Sequence, residues 1–271
     1  MSINRLSRHL ASGQRAFGGW CLTPSPFMAE TLAEARFDYV CVDCQHGLIH
    51  YEAMWPMLLA IQRTPVTPVV RVPFNDTPWI GKALDAGAEC IIVPMVNSVE
   101  DAKRAVSACR YSPEGVRSFG PVRSAMFLGA DPPTVNSEVL CFVMIETATA
   151  LDNVDDICAT EGVDGVYIGP ADLAISMGVS LEDVGASRAH ADAITQILQS
   201  CRTHGVIAGI HTTGGEQANR YANEGFQLCT LATDISFVRD MATKELAISR
   251  GSELAISRGS IDSEGTGGIY T

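Results

Sequence analysis

The chain has 271 residues, of which 46% are hydrophobic and 18% are charged, and its net charge is -12. This length suits one sizeable core, and the acidic balance argues against nucleic acid or an anionic membrane as a partner. The sequence shows no apolar run of the roughly 18 residues needed to span a bilayer, and segment 1–16 does not resemble a signal peptide. Nine cysteines, mostly within apolar stretches, fit a reducing compartment, so we expect a cytoplasmic protein.

Short apolar runs alternate with helical patterns from residue 17 to about residue 240. The runs lack apolar–polar alternation, which indicates a parallel sheet that is buried on both faces. Strands are predicted at 17–22, 39–43, 67–72, 90–95, 140–146, 165–169, 206–210 and 227–231. Eight such units predict an α/β fold, a (β/α)8 TIM barrel in a single domain over residues 1–243. The alternative is a doubly wound open sheet, which the lack of GxGxxG after the first strand disfavours.

Two segments interrupt this alternation. Residues 110–138 form a long connection rich in Pro and Gly, and connections of that length in a compact domain are usually functional loops or lids. Residues 244–271 contain ELAISRGS twice, at 245–252 and 253–260. Two copies cannot make a solenoid, so we interpret this C-terminal extension as non-native or disordered and assign it no function.

Candidate functional residues follow the predicted strands, because the catalytic groups of such barrels gather at the carboxyl ends of the strands. Two carboxylates, one arginine, a neighbouring Asp/His pair, one indole and one further imidazole would share this rim. These residues are Trp20, Asp43, His46, Arg71, Glu146, Asp172 and His211.

Glu146 and Asp172 are separated by 26 residues, or one βα unit, which predicts that they lie on adjacent strand ends. Two oxygen ligands with open positions are a common way to hold Mg²⁺ or Mn²⁺. A salt bridge of Glu146 inside the barrel mouth and a helix N-cap role of Asp172 remain the structural alternatives. Arg71, in an otherwise apolar strand, would bond either a rim carboxylate or a substrate carboxylate.

His46 follows Asp43 by three residues, so a turn could bring the carboxylate to the imidazole and leave the second nitrogen as a base. A solvated loop histidine is the alternative. Cys41 and Cys44 would point to opposite faces of their strand, and no second CxxC completes a zinc site. His9, His190 and His204 are predicted to lie on helical or loop surfaces, without a role, whereas His50 is predicted to begin a helix.

The three lysines, Lys82, Lys103 and Lys244, lie at no predicted strand end. A barrel that forms a Schiff base with a carbonyl substrate needs a lysine there. If the chemistry concerns a carbonyl group, the sequence therefore favours a metal as the electrophile.

Several motifs together carry a resemblance to a known family: VDCQHG, VVRVPFND, LDAGAECIIVPMV, RYSPEGVRS, MIET and VDGVYIGPADLAISMG. In order and spacing they resemble the HpcH/HpaI group of class II pyruvate aldolases, which includes 4-hydroxy-2-oxoheptanedioate and 2-dehydro-3-deoxyglucarate aldolases. The resemblance covers roughly residues 5–242. It implies metal-dependent aldol cleavage and condensation, with pyruvate or a related 2-oxo acid as the enolate donor and an aldehyde as the acceptor.

The resemblance also implies residue roles. Glu146 and Asp172 would bind Mg²⁺, Mn²⁺ or Co²⁺, Arg71 would stabilise the keto oxygen of the donor, and His46 with Asp43 would activate a water for proton exchange. The backbone around the substrate carboxylate would come from Gly169, Pro170, Ala171 and Asp172, and Trp20 and His211 are further candidate substrate-binding residues. Asp85 would approach the site of a neighbouring subunit, since such aldolases are typically homo-hexamers built as dimers of trimers.

The chain departs from the family pattern at several positions. Gln45 replaces the usual Glu before the histidine, Met144 replaces a frequent Gln, Ser112 and Ser118 replace Pro and Gly, and 211–213 is more polar than in relatives. We expect these changes to alter substrate shape more than metal binding, and we hypothesise a different donor or acceptor, such as hydroxypyruvate or a small aldehyde.

Two other functions remain as alternatives. A phosphosugar isomerase or synthase would grip phosphate with Gly214 and Gly215, but it would want a second Gly-rich segment, and the segment LATDISFV has no Gly. A non-catalytic or CoA-ester-binding protein similar to a citrate lyase β subunit is the other alternative, and the lack of a basic patch counts weakly against it.

Overall fold

The computed structural model describes residues 4–251, in which eight parallel strands close into a barrel in chain order. Strand β1 pairs with both β2 and β8, which completes the ring. The strands are β1 Ala16–Cys21, β2 Tyr39–Asp43, β3 Thr67–Arg71, β4 Cys90–Val93, β5 Leu140–Ile145, β6 Gly165–Ile168, β7 Ile207–His211 and β8 Leu228–Thr233.

Helices connect the strands on the outside of the barrel. Most begin at a Ser, Thr, Asp or Asn whose side chain accepts a hydrogen bond from a first-turn amide, as Ser98 does from the amide of Asp101. The helices are α1 Arg5–Ala11, α2 Pro26–Glu34, α3 Tyr51–Ile61, α4 Thr77–Asp85, α5 Val99–Cys109, α6 Ala125–Leu128, α7 Pro132–Glu138, α8 Ala148–Asp152, α9 Val154–Cys158, α10 Pro170–Ser176, α11 Arg188–His204, α12 Gly215–Glu224 and α13 Asp234–Ser249, with a 3₁₀ turn at Leu181–Asp183.

The core has two layers, because each strand is apolar on both faces. The inner layer fills the barrel with side chains such as Trp20, Tyr39, Phe142 and Tyr167. The outer layer joins the other strand face to the helices. Helix α1 covers the N-terminal end of the barrel, where its buried Leu6 belongs to the inner layer.

The predicted barrel is confirmed, and each predicted strand lies within two residues of the observed one. His50 is the N-cap of α3, as the sequence predicts. The connection 110–138 carries two short helices, α6 and α7, that the sequence did not indicate. Helix α13 continues to Ser249, so it includes the first residues of the 244–271 segment, and most of the duplicated octapeptide lies outside the described residues. Within the described part, no helix combines the length and hydropathy of a membrane span.

Candidate active site

Strand register brings the first pair of predicted site residues together. Asp43 ends β2, Arg71 ends β3, and the two residues are partners in the parallel pairing of these strands. The Asp43 carboxylate accepts hydrogen bonds from Nε of Arg71 at 2.9 Å and from Nη2 of Arg71 at 2.5 Å. Asp43 is fully buried and Arg71 is 6% exposed, so the carboxyl end of the barrel contains a buried, bidentate ion pair.

Trp20 completes this group from β1. Its Nε1 donates to the Asp43 carboxylate at 3.2 Å, and the guanidinium carbon of Arg71 lies 5.0 Å from the centre of the indole. Trp20 also stacks on Tyr167, with ring centres 5.6 Å apart. The buried indole therefore contacts both members of the ion pair.

Each member of the ion pair stabilises the charge of the other. Burial alone would raise the pKa of Asp43, but the charge and hydrogen bonds of Arg71, with a further bond from Trp20, outweigh it and lower this pKa below its ordinary value. Burial likewise would lower the pKa of Arg71, and Asp43 reverses that effect and raises it. Both groups are therefore charged across the physiological pH range.

Two roles were predicted for Arg71, a bond to a rim carboxylate or a bond to a substrate carboxylate. The structure shows the first, because Arg71 bonds a rim carboxylate of its own chain. Nε and one N–H of Nη2 are engaged by Asp43, so the side of the guanidinium that these two nitrogens form does not remain for a substrate carboxylate. Nη1 has only a 4.0 Å contact with the sulfur of Met144. A sulfur is a weak acceptor, so Nη1 keeps its capacity to donate to a ligand oxygen.

Glu146 follows β5 directly and is 1% exposed. Its Oε1 accepts a 2.7 Å hydrogen bond from the amide of Met95, whereas its buried Oε2 has no hydrogen-bond partner. Met95 adopts a φ of 55°, an uncommon conformation for a non-glycine residue, in the loop after β4. Burial raises the pKa of Glu146 to about 7, although the Met95 amide and Arg71 act to lower it.

Asp172 lies in the first turn of α10, whose N-cap is Gly169. The alternative role of Asp172 as this N-cap is therefore wrong; the helix begins two residues earlier, at Pro170, whose fixed φ suits a first turn. A Cβ on Gly169 would come 2.7 Å from Oε2 of Glu146, so only glycine allows the backbone this close to the carboxylate. Asp172 is near enough for its charge to raise the pKa of Glu146.

Helix α10 receives support from a residue that the sequence assigned to a surface. His190, on α11, is 2% exposed, and its Nε2 contacts the carbonyl of Pro170 at 2.8 Å. The surface assignment of His190 is wrong, since an amphipathic helix pattern shows which face is apolar but does not show that a histidine on that face has a carbonyl partner.

The two carboxylates suit a divalent cation. A buried carboxylate oxygen without a partner is costly, and a second carboxylate nearby adds to the cost unless positive charge neutralises both. Hard oxygen donors of this kind are typical ligands of Mg²⁺ and Mn²⁺.

Residues 4–251 contain no group of three or more His, Cys, Asp or Glu arranged to hold a metal. Cys41 and Cys44 therefore form no such cluster, and both are buried free thiols.

His46 is exposed in the loop after β2. The amides of His46 and Gln45 both donate to Oδ1 of Asp43, at 3.3 and 2.9 Å, so Asp43 positions this loop through its backbone. Burial, together with the charge of Arg71, lowers the pKa of His46, although Asp43 and Asp172 act to raise it. These three charges and the imidazole form one electrostatic unit at the rim, and the lowered pKa keeps the imidazole mainly neutral at pH 7.

Two further polar groups lie beside this unit. Oε1 of Gln45 is buried and has no hydrogen-bond partner. His211 ends β7, meets the Trp20 ring edge-on with centres 5.0 Å apart, and contacts the hydroxyl of Tyr167 through Nδ1 at 3.1 Å. Burial and Arg71 lower the pKa of His211 to about 4. No sequence pattern pointed to Tyr167, because a tyrosine in an apolar strand is typical of the core.

Asp85 lies away from this group. It is the last residue of α4, and helices of the barrel run opposite to the strands, so it is placed towards the N-terminal end. Its Oδ1 accepts a 2.7 Å hydrogen bond from Arg117, whose guanidinium also lies 4.3 Å from the centre of the Tyr111 ring. The role of Asp85 at a neighbouring subunit's site stays a prediction, because its hydrogen bond within this chain is to Arg117.

The sequence of this chain is similar to those of known aldolases. The family model described as HpcH/HpaI aldolase/citrate lyase matches residues 17–240. A hydroxypyruvate/pyruvate aldolase of Rhizorhabdus wittichii is 38% identical over 92% of this chain and 99% of the relative. A 2-dehydro-3,6-dideoxy-6-sulfogluconate aldolase of Pseudomonas putida is 35% identical over 87% and 93% of the two chains.

A solved structure shows the same arrangement of the chain. The crystal structure of an HpcH/HpaI aldolase/citrate lyase family protein from Burkholderia cenocepacia superposes with a TM-score of 0.86 at 32% identity. The match covers 91% of this chain and 99% of that one. The resemblance that the motifs carried is therefore confirmed over nearly the whole described barrel.

Proposed function

Because the chain belongs to the HpcH/HpaI aldolase/citrate lyase family, we propose that it is a metal-dependent aldolase joining a 2-oxo acid donor to an aldehyde acceptor. One observation carries the metal-dependent part of this proposal: Glu146 is a buried carboxylate whose Oε2 has no partner. The relatives named aldolases support the reaction class over a phosphosugar isomerase or a CoA-ester-binding protein.

Glu146 and Asp172 would hold the cation, with Mg²⁺, Mn²⁺ and Co²⁺ as the candidates. When bound, such an ion supplies Lewis acidity towards the oxygens of a 2-oxo acid. The start of α10 lies beside Glu146, and the segment from Gly169 to Asp172, with Pro170 and Ala171, would accommodate the donor's carboxylate.

Arg71 would stabilise the negative charge that develops on the donor's keto oxygen. Nε and Nη2 are fixed by Asp43, and Nη1, together with the second N–H of Nη2, keeps donor capacity. A guanidinium held in place before the reaction requires no reorganisation as the charge develops, which is the origin of most electrostatic stabilisation of enolates. Asp43 is in this proposal a positioning residue for both Arg71 and the His46 loop.

His46 would move the proton, because its lowered pKa leaves the imidazole mainly neutral at pH 7 and the residue is exposed. In the condensation direction, a water activated by His46 takes a proton from the carbon next to the keto group, and the enolate carbon attacks the aldehyde carbonyl. The proton then passes to the alkoxide of the new aldol. In cleavage the same proton travels backwards.

We propose hydroxypyruvate, alongside pyruvate, as a donor. The buried Oε1 of Gln45 is an acceptor without a partner, and the extra hydroxyl of hydroxypyruvate is a donor. The Rhizorhabdus wittichii relative carries both donors in its name. Gln45→Met, which keeps the length of the side chain and removes this acceptor, should lower the hydroxypyruvate/pyruvate ratio of kcat/KM by about tenfold, the value of one hydrogen bond to a buried group.

The experiment that tests the reaction is proton exchange in D₂O. Pyruvate is incubated with the enzyme, with and without EDTA, and methyl deuteration is followed by NMR. We expect exchange that stops with EDTA and returns with Mn²⁺ or Mg²⁺. Exchange that survives thorough metal removal would refute the metal-dependent enolate, and a strict preference for pyruvate over hydroxypyruvate in the paired assay would refute the donor assignment.

We also propose a homo-hexamer in the cytoplasm, with Asp85 contributing to a neighbouring subunit's site. Nine free, buried cysteines support a reducing compartment. The Asp85 assignment is tested by mixing Asp85→Ala with His46→Ala subunits after reversible dissociation. If Asp85 acts across subunits, mixed assemblies regain activity that each variant lacks alone; inactive mixtures would contradict it.

A further inference from the structure

A cavity lies at the opposite end of the barrel from the candidate active site. It has a volume of about 490 Å³ and is bounded by α1, the end of α3, the starts of β3 and β4, and α6. Thr67, in its wall, is four residues from Arg71 on β3, a distance of about 13 Å along the strand. Its polar lining residues are Arg5, Arg8, Gln62, Thr64, Thr67 and Glu89.

Two of these side chains carry buried polar atoms without partners. Thr67 is 2% exposed, and its hydroxyl has no hydrogen-bond partner. Gln62 donates from Nε2 to the carbonyl of Gly87 at 2.8 Å, whereas its buried Oε1 has no partner. Buried polar atoms are nearly always paired in native proteins, so two buried atoms without partners, on residues that line one cavity, point to a ligand as the missing partner.

The charge of the cavity favours an anion. Arg5 and Arg8 lie one turn apart on α1 and so share a face. The ion pairs among the described residues include neither of them. Burial, with the nearby charge of Glu138, raises the pKa of Glu89 to about 7, although Gln62 and Arg5 act to lower it. The single carboxylate in the lining therefore offsets at most one of the two guanidinium charges.

We propose that this cavity binds a small hydroxylated oxyanion, with the anionic group at Arg5 and Arg8 and a hydroxyl at Gln62. Guanidinium groups match the planar oxygens of carboxylate and the oxygens of phosphate, and the Thr67 hydroxyl supplies one more donor. The ligand's hydroxyl donates to Oε1 of Gln62. A hydroxycarboxylate and a phosphorylated polyol share this chemistry, and a volume of this size holds either.

Titration calorimetry with D-gluconate, glycerol 3-phosphate and inorganic phosphate tests the proposal on the full-length protein. The same titrations are repeated with Glu146→Gln, a variant in which the affinity of any anion for the candidate active site would change. We expect one hydroxylated anion to bind wild type and Glu146→Gln equally. Arg5→Gln/Arg8→Gln should weaken that binding about 100-fold, or about tenfold for each charge-assisted bond, and Thr67→Val about tenfold.

Arg63→Gln is the matched control. Arg63 follows Gln62 in the chain, but its side chain is 74% exposed and pairs with Glu30 outside the cavity, so binding should not change. Circular dichroism and melting confirm that each variant is folded. No binding of either hydroxylated anion below about 10 mM, equal affinity in wild type and Arg5→Gln/Arg8→Gln, or inorganic phosphate binding as tightly as the hydroxylated anions would each overturn the proposal. These outcomes are independent of the aldolase assay.

Discussion

The Asp43–Arg71 ion pair makes the sharpest prediction, because Asp43→Asn keeps its shape and removes its charge. Asp43 receives five donors: Nε and Nη2 of Arg71, Nε1 of Trp20, and the amides of Gln45 and His46. An asparagine offers one oxygen in place of two, so some donors lose their acceptor while Arg71 remains buried and uncompensated. Removing one partner of a buried pair typically costs about 3–5 kcal/mol.

The assay is thermal and urea unfolding. For a chain of this size each kcal/mol shifts Tm by about 2–4 °C, so Tm should fall by about 6–20 °C. The exposed Asp240, which pairs with Arg239 on α13, is the control, and Asp240→Asn should change stability by about 1 kcal/mol or less. Asp43→Leu/Arg71→Met should recover most of the stability while activity stays lost, because replacing both charges by apolar groups is often neutral.

The pH dependence provides a second readout of the same pair. The pKa of Asp43 is lowered in the folded protein, so its stabilisation is present above the ordinary carboxyl pKa of about 3.9 and is lost as pH falls through the folded value. The gap between wild type and Asp43→Asn should therefore stay constant from about pH 8 to pH 5 and narrow below about pH 4. A gap no larger than that of Asp240→Asn at pH 7 would refute the role given to this pair.

Other predictions concern the metal, the base and the long connection. Glu146→Ala and Asp172→Ala should each abolish Mn²⁺ binding, measured by calorimetry, together with exchange; retained Mn²⁺ affinity would contradict the ligand assignment. His46→Ala should keep Mn²⁺ binding and slow exchange by about 10²–10⁴-fold. It should also remove the acid limb of the pH profile of kcat/KM. In wild type this limb lies below the ordinary histidine pKa of about 6.5, because the pKa of His46 is lowered. Arg117→Met should cost about 1–2 kcal/mol in urea unfolding, since Asp85 is only half-buried; a cost below that of Asp240→Asn would argue against this anchor.

The fold could be predicted because its signals are local and repeated. Runs such as YVCVD are apolar at every position, which a parallel sheet requires of strands buried on both faces. Once the barrel is assumed, the ends of the strands locate Asp43, Arg71 and Glu146 within a residue. The sequence could not predict α6 and α7, because four-residue and seven-residue helices give too few turns for a periodic pattern.

Partners across the barrel were harder to predict than positions along the chain. The sequence left open whether Arg71 bonds its own chain or a substrate, and only the register of β2 against β3 settles it in favour of Asp43. His190 looked like a surface residue because its acceptor, the Pro170 carbonyl, is 20 residues away. Contacts of this kind depend on how helices pack on the barrel, which no local pattern contains.

The residues of the candidate site differ in what holds them in place. Asp43 and Arg71 lie on strands, so the pairing of β2 and β3 fixes them and a change would break a buried ion pair. Gln45 lies in a loop that is attached to Asp43 only through its backbone amide, so its side chain can change without breaking that attachment. Loop positions of this kind are where barrel enzymes vary substrate choice at little cost to stability. We therefore expect Gln45→Met to change the donor ratio while altering Tm by less than Asp43→Asn does; equal losses of Tm would contradict this separation of stability from specificity.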